Sequence, residues 1–302
     1  MVRTPPYLKP GDTIGIVCPA GYMDAERVQA CVDRLHAWGY LVKTGLTVGS
    51  ASENYFSGTD AERLADFQEM LDDDRIRAIL CARGGYGMSR IIDDIDFSTF
   101  IKQPKWIIGF SDITLLHSHI FSNFGISSMH APMAAAFYEA AADDVYVLSL
   151  KKALEGRKIA YTTAGHEANR RGEAVGELVG GNLAMIAHAI GTDSDIKTRG
   201  RILFLEDVGE YLYNIDRMLH QLKRAGKLNK LAGLIVGGFT HLKDTGRPFG
   251  QGIPGIVLNV VAGTDFPVCF DFPVGHDGNN YALKIGEGYK MKVGRKKVTL
   301  TE

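Results

Sequence analysis

The sequence predicts an α/β protein in two parts: a first half on a mostly parallel sheet, and a smaller α+β or mixed-sheet second part. Three observations carry that expectation. Short apolar runs alternate with helix-period stripes through the first half, a pattern that puts helices on both faces of a parallel sheet. At 302 residues the chain exceeds the size at which a single hydrophobic core keeps growing. After a polar stretch at 162–172 the pattern changes, and the tail carries short strand-like runs.

The elements follow in order. Runs at 13–18, 41–44, 78–82, 106–110 and 126–130 read as strands. Val28, Cys31, Val32, Leu35 and Trp38 form an i, i+3, i+4, i+7 stripe. Leu64, Phe67, Met70 and Leu71 form another, opened by Thr59-Asp60-Ala61-Glu62, a capping-box pattern. A helix-like segment at 147–154 precedes Glu155-Gly156-Arg157-Lys158. The expected first domain is 1–160 and the second 171–302, with a linker at about 156–172. In the second part, 174–179 leads into Gly180-Gly181-Asn182 and a helical run, 183–190. Strands are expected at 202–205, 234–236 and 268–272, with a helix stripe at Ile215, Met218, Leu219 and Leu222. Leu283-Lys284-Ile285 and Lys297-Val298-Thr299-Leu300 suggest antiparallel hairpins.

Composition excludes several functions. A formal net charge of −1 argues against nucleic acid or an anionic membrane as the main partner. No apolar run reaches the roughly 18 residues of a membrane span. The apolar run 13–18 is short and follows Pro5, Pro6, Pro10 and Asp12, so it reads as a first strand rather than an export signal. Cys18, Cys31, Cys81 and Cys269 are scattered, form no C-x-x-C and lie in apolar contexts. Buried free thiols in the cytoplasm are expected. No Cys/His cluster has zinc spacing. Gly85-Tyr86-Gly87 opens like a dinucleotide fingerprint, but Arg90 stands at the last glycine position. Neither a metal nor a cofactor is therefore expected.

The segment Lys105 to Thr114 carries the strongest chemical signal. An apolar run ends at Gly109-Phe110, Ser111 follows, and Asp112-Ile113-Thr114-Leu115-Leu116 begins a helix-like pattern. This resembles a nucleophile elbow, with Ile113 at the second glycine position of G-x-S-x-G. The plain alternative is that Ser111 is an N-cap with Asp112 in the first turn. Ligands of open α/β sheets bind beyond the carboxyl ends of strands. Those ends carry Arg83-Gly84-Gly85-Tyr86-Gly87, Ser111, Glu206-Asp207, and the loop Pro273 to Asn280 with His276. A serine needs an adjacent base, an imidazole can supply it, and a carboxylate can fix the imidazole tautomer. Backbone N–H groups of Gly85 and Asp112 could face an oxyanion. His117, His119 and His130 compete with His276, while Asp112, Asp207, Glu210, Asp271 and Asp277 compete with Glu206. Spacing alone leaves these choices open.

The chain resembles the LD-carboxypeptidases of serine peptidase family S66. The resemblance is carried by Leu8-Lys9-Pro10-Gly11-Asp12-Thr13-Ile14-Gly15-Ile16 with Pro19-Ala20-Gly21, and by Arg83-Gly84-Gly85-Tyr86-Gly87. It continues through Gly109-Phe110-Ser111-Asp112-Ile113-Thr114, Gly180-Gly181-Asn182-Leu183, Leu205-Glu206-Asp207-Val208 and Gly275-His276. It implies a flavodoxin-like N-terminal domain and a smaller, swivelling-type C-terminal domain, with the site between them and near a homodimer interface. It implies Ser111 as nucleophile, His276 as base, Glu206 as its orienting acid, and the amides of Gly85 and Asp112 as oxyanion donors. Arg83 and Tyr86 are candidate substrate contacts, and Arg83 and Arg90 candidate readers of a terminal carboxylate. The implied activity removes the terminal D-alanine from murein tetrapeptides in cell-wall recycling, without metal or cofactor. Two alternatives stand beside it: a relative that cleaves microcin C-type aminoacyl or peptidyl nucleotides, and a non-catalytic small-ligand binding protein on the same scaffold.

Overall fold

The structure is a computed structural model and describes residues 2–302. The chain divides into two compact units, Met1–Arg157 with Tyr281–Lys284, and Lys158–Asn280 with Ile285–Glu302.

The first unit runs β1 (Thr13–Val17), α1 (Ala25–Ala37), β2 (Leu41–Thr44), α2 (Asp60–Asp72), β3 (Ile76–Cys81), α3 (Ser98–Lys102) and β4 (Trp106–Gly109). It continues with α4 (Thr114–Phe124), β5 (Ser128–His130), α5 (Ala134–Glu139) and α6 (Val145–Leu154). The strands lie in the order β2-β1-β3-β4-β5, and the neighbouring pairs are parallel. This is the flavodoxin-like order, in which ligands sit at the carboxyl edge. All of β4 and five of six residues of β3 are buried, as expected of strands covered on both faces. The apolar stripe of α1 puts Val28, Cys31, Val32 and Leu35 in the core; Trp38 caps the helix and packs against that core from its edge. The capping box of α2 is formed: the Thr59 hydroxyl accepts from the Glu62 N–H at 3.2 Å, and Glu62 Oε2 accepts from the Thr59 N–H at 2.7 Å.

The second unit contains β6 (Ala160–Ala164), β7 (Gly172–Asn182), α7 (Leu183–His188), β8 (Ile202–Val208), α8 (Leu212–Arg224), β9 (Gly233–Thr240), α9 (Ile253–Val260) and β10 (Val268–Cys269). After β11 (Leu283–Ile285) it closes with β12 (Gly288–Val293) and β13 (Lys297–Thr301). Its sheet has the order β10-β9-β8-β7-β12-β13-β6. The β7 to β10 part is parallel and the β7-β12-β13-β6 part antiparallel, so the sheet is mixed.

Two local features differ from the sequence-based expectation. The strand β11 does not form a C-terminal hairpin; it joins the edge of the first sheet beside β5. All three of its residues are buried, with the Lys284 ammonium over the Tyr7 ring at 4.8 Å. A short strand buried on both faces has no alternation to reveal its sheet. Strand β6 lies inside the segment 156–172 expected to act as a linker. It is an edge strand without a buried position, so no hydrophobic period marks it. The four cysteines are buried and free.

Candidate active site

In the first unit, β4 ends at Gly109, and a short 3₁₀ turn over Ser111–Ile113 feeds directly into α4. Ser111 has φ +64°, the left-handed region that a non-glycine residue rarely occupies. Such strain persists only where surrounding structure holds it, and it clusters at functional sites. Ser111 is the first residue of the turn, with Phe110 at its N-cap and Ile113 at that of α4, so Ser111 does not occupy an N-cap position. The hold on this turn is visible. His117, buried in α4, lies with Nε2 2.9 Å from the Gly109 carbonyl. Burial pushes its imidazole down to about 4, against that hydrogen bond. His117 therefore braces the elbow as a neutral N–H donor.

The loop after β3 packs onto the serine. A Cβ on Gly84 would lie 2.9 Å from Ser111 Cβ and 3.1 Å from Ser111 Oγ, so only glycine fits. The Gly84 carbonyl accepts from the Gly21 N–H at 3.0 Å. In a planar trans peptide the Gly85 N–H then points the opposite way. Among the described residues no acceptor lies on that N–H. Asp112, 1% exposed, turns its carboxylate inward, where Oδ2 accepts from the Met88 N–H at 2.7 Å. Burial pushes its pKa up to about 6, opposed by that N–H and by the Arg63 charge. Arg83 donates to the Tyr22 carbonyl at 2.7 Å from an exposed position. Tyr86 is exposed, with its ring 5.7 Å from that of Phe56. His130, at the end of β5, is buried with its ring 5.4 Å from Phe110.

In the second unit, the structure brings Glu206 and His276 together. Nδ1 of His276 is 2.6 Å from Oε2 of Glu206; the carboxylate is fully buried and the imidazole 18% exposed. Glu206 sits at a register shift between β8 and β9, where Leu205 faces Val236 but Asp207 faces Phe239. A bulge of this kind re-aims a side chain at a strand end. The His276 loop rests on Gly237 and Gly238: the Gly238 N–H donates to the Val274 carbonyl at 2.8 Å, and a Cβ on Gly237 would overlap Val274. Burial alone would lower the His276 pKa. The hydrogen bond to Glu206 and its charge, helped by Asp207 and Asp277, outweigh burial and raise it above the ordinary imidazole value.

Behind the pair lies a network that sequence reasoning missed. The Asn182 amide donates to Asp207 Oδ1 at 2.9 Å, and the Ala184 N–H donates to Asp207 Oδ2 at 2.9 Å. Asn182 also caps α7 by accepting from the Met185 N–H. Burial pushes Asp207 up to about 6, with the Val208 N–H and the Asn182 amide opposing. The available signal was Gly180-Gly181-Asn182 ahead of a helical run. Of the other carboxylates, Asp271 is exposed and pairs with His166 at 3.5 Å, while Glu210 accepts from the Asn214 amide. Among the described residues no group of three His, Cys, Asp or Glu side chains has a metal-site arrangement, and no helix is long and apolar enough to cross a membrane.

Both units match known protein domains. The LD-carboxypeptidase N-terminal domain matches residues 14–131, and the LD-carboxypeptidase C-terminal domain matches residues 175–291. The chain is 37% identical to the probable murein peptide carboxypeptidase of Bacillus subtilis strain 168, over 97% of this chain and 92% of that one. The crystal structure of muramoyltetrapeptide carboxypeptidase from Oxalobacter formigenes aligns with a TM-score of 0.87 and 26% identity, covering 96% of this chain and 98% of that one. MccF in complex with glutamyl sulfamoyl guanosine shares the fold, with a TM-score of 0.86 and 24% identity over 99% and 98% of the two chains. With both domain models matched in order and a relative of this identity along nearly its whole length, the chain belongs to the LD-carboxypeptidase family, peptidase family S66, and is a hydrolase of the serine carboxypeptidase class.

Proposed function

We propose that this protein removes the terminal D-alanine from murein tetrapeptides in cytoplasmic cell-wall recycling, through an acyl-enzyme on Ser111. The observation that supports this most is the left-handed serine between a buried strand and a helix N-terminus. Ser111 Oγ attacks the carbonyl before D-alanine, and His276 takes the hydroxyl proton. Nδ1 of His276 is engaged by Glu206, so Nε2 is the base. The N–H groups of Gly85 and Asp112 bind the developing oxyanion. As the intermediate collapses, the C–N bond breaks and the imidazolium gives its proton to the leaving amine. Water then attacks the ester, with His276 again as base, and Ser111 recovers its proton. Arg83 and Tyr86 are proposed to contact the substrate, and a homodimer is the proposed assembly.

The test is incubation with L-Ala-γ-D-Glu-diaminopimelyl-D-Ala in the presence of a strong chelator, followed by mass spectrometry. Loss of one alanine and then arrest is expected. Amidating the terminal carboxylate should cost about 10² or more in kcat/KM, because donors aimed at that charge are left unpaired. No loss of alanine, or loss that requires added zinc, would overturn the proposal. Faster cleavage of an aminoacyl sulfamoyl adenosine than of the tetrapeptide would move the substrate assignment to the nucleotide conjugates and leave the three residues in their roles.

A further inference from the structure

We infer that Arg63, outside the proposed catalytic set, is a positioning residue that sets where the Gly85 N–H points. The inference rests on the reading of Ser111 as nucleophile and Gly85 as oxyanion donor.

Arg63 lies in the first turn of α2, and its side chain is fully buried. A buried guanidinium is costly unless its donors are met; here Nε has no partner among the described residues, while both terminal nitrogens are engaged, Nη1 by two different loops. Nη1 donates to the Pro19 carbonyl at 2.6 Å and to the Gly87 carbonyl at 3.1 Å. Nη2 bonds Asp60, and the Phe56 ring lies 4.9 Å from the guanidinium carbon. The two carbonyls belong to the loops that fix the Gly84–Gly85 peptide. The Pro19 loop supplies the Gly21 N–H that holds the Gly84 carbonyl. The Gly87 loop is the far end of the same glycine segment, and Asp112 holds the next amide, Met88. Arg63 thus ties one loop to the other across the peptide whose N–H serves the oxyanion.

The fit is close. A Cβ on Gly87 would lie 2.7 Å from Arg63 Nη1 and 2.9 Å from Ala20 Cα. Arg90, which follows the loop, is pinned from the same helix start, with Nε and Nη2 on the Asp60 carboxylate at 2.9 and 2.6 Å. Because a single added carbon on Gly84 would collide with Ser111, the loop backbone lies close enough for a shift of it to reach the serine.

The experiment compares wild type, Arg63→Lys and Arg63→Gln. It measures kcat and KM on the tetrapeptide, the rate of Ser111 labelling by a fluorophosphonate, and the melting temperature. Turnover is normalised to titratable serine. Arg63→Gln should lower kcat per titrated site about 10²-fold, the scale of losing one oxyanion donor. KM should change less than about threefold, and labelling should slow in parallel, since phosphonylation uses the same donor. Arg63→Lys, which keeps the charge and can reach one carbonyl, should recover part of the loss and fold even where Gln does not. Unchanged kcat per titrated site in folded Arg63→Lys and Arg63→Gln, or a loss confined to KM, would overturn the inference. So would failure of Arg63→Lys to fold, which would assign Arg63 to fold stability alone. Wild type that is neither labelled at Ser111 nor active on the tetrapeptide would instead show that the underlying functional reading is wrong.

Discussion

Around Ser111 backbone shape dominates, braced by the buried side chains of His117 and Arg63; around His276 a buried charge dominates. The serine owes its place to a left-handed backbone turn, a glycine with no room for a methyl, and a peptide turned by a neighbouring loop. The histidine owes its place to a fully buried carboxylate at a bulge, with an aspartate–asparagine network behind it. The first arrangement is a matter of volume and dihedral angle, so it should be sensitive to one added carbon. The second is a matter of charge in a low-dielectric setting, so it should be sensitive to protonation.

The sharpest way to break this comparison is Ser111→Ala. It removes the proposed nucleophile but only one half-buried hydroxyl, so the melting temperature should hold while kcat falls by roughly 10⁴ or more. A variant retaining a tenth of wild-type turnover would remove Ser111 from its role. Glu206→Gln comes next. It keeps the shape of the side chain but loses the charge that fixes the imidazole tautomer, with an expected loss of about 10²–10⁴ in kcat. Gly84→Ala tests the other half. It adds no charge, yet the new methyl must displace the serine or the loop, and kcat should fall by about 10² with the pH profile unmoved.

The smallest effect is the pH profile itself. His276, the proposed base, would work only when neutral, and Glu206 raises its pKa. In wild type the acid limb of kcat/KM should therefore have its midpoint above the ordinary histidine value of about 6.5. In Glu206→Gln, burial is no longer opposed by that charge, and the limb should move to lower pH. The stability linkage has its own sign: a raised folded-state pKa stabilises fully below the ordinary value and loses that contribution as pH rises through the raised one. A profile identical in the two proteins would refute the electrostatic account of the second half.

The parallel sheet of the first unit was legible in the sequence because alternating apolar runs and helix stripes report burial directly. The elbow was legible because a strand, a serine and a helix start fall within ten residues. Ser111 could be singled out from local pattern, but the choice of Glu206 and His276 as a bonded pair could not. That choice depends on the β8–β9 register shift and on the loop resting on Gly237 and Gly238, which no local spacing encodes. Arg63 and the Asn182–Asp207 network were invisible for the same reason. Arg63 looks like an ordinary first-turn helix residue, and the carbonyls it holds are 24 and 44 residues away. Strand β11 was legible as a strand but its sheet was not, because three buried residues have no period.

The central claim is that hydrolysis passes through Ser111, and titration with a fluorophosphonate tests it most directly. Peptide mapping should place a single adduct on Ser111, and tetrapeptide cleavage should fall in proportion to its occupancy until both reach completion together. Cleavage that continues in fully labelled protein, or an adduct on another residue that alone tracks the loss of activity, would contradict the account.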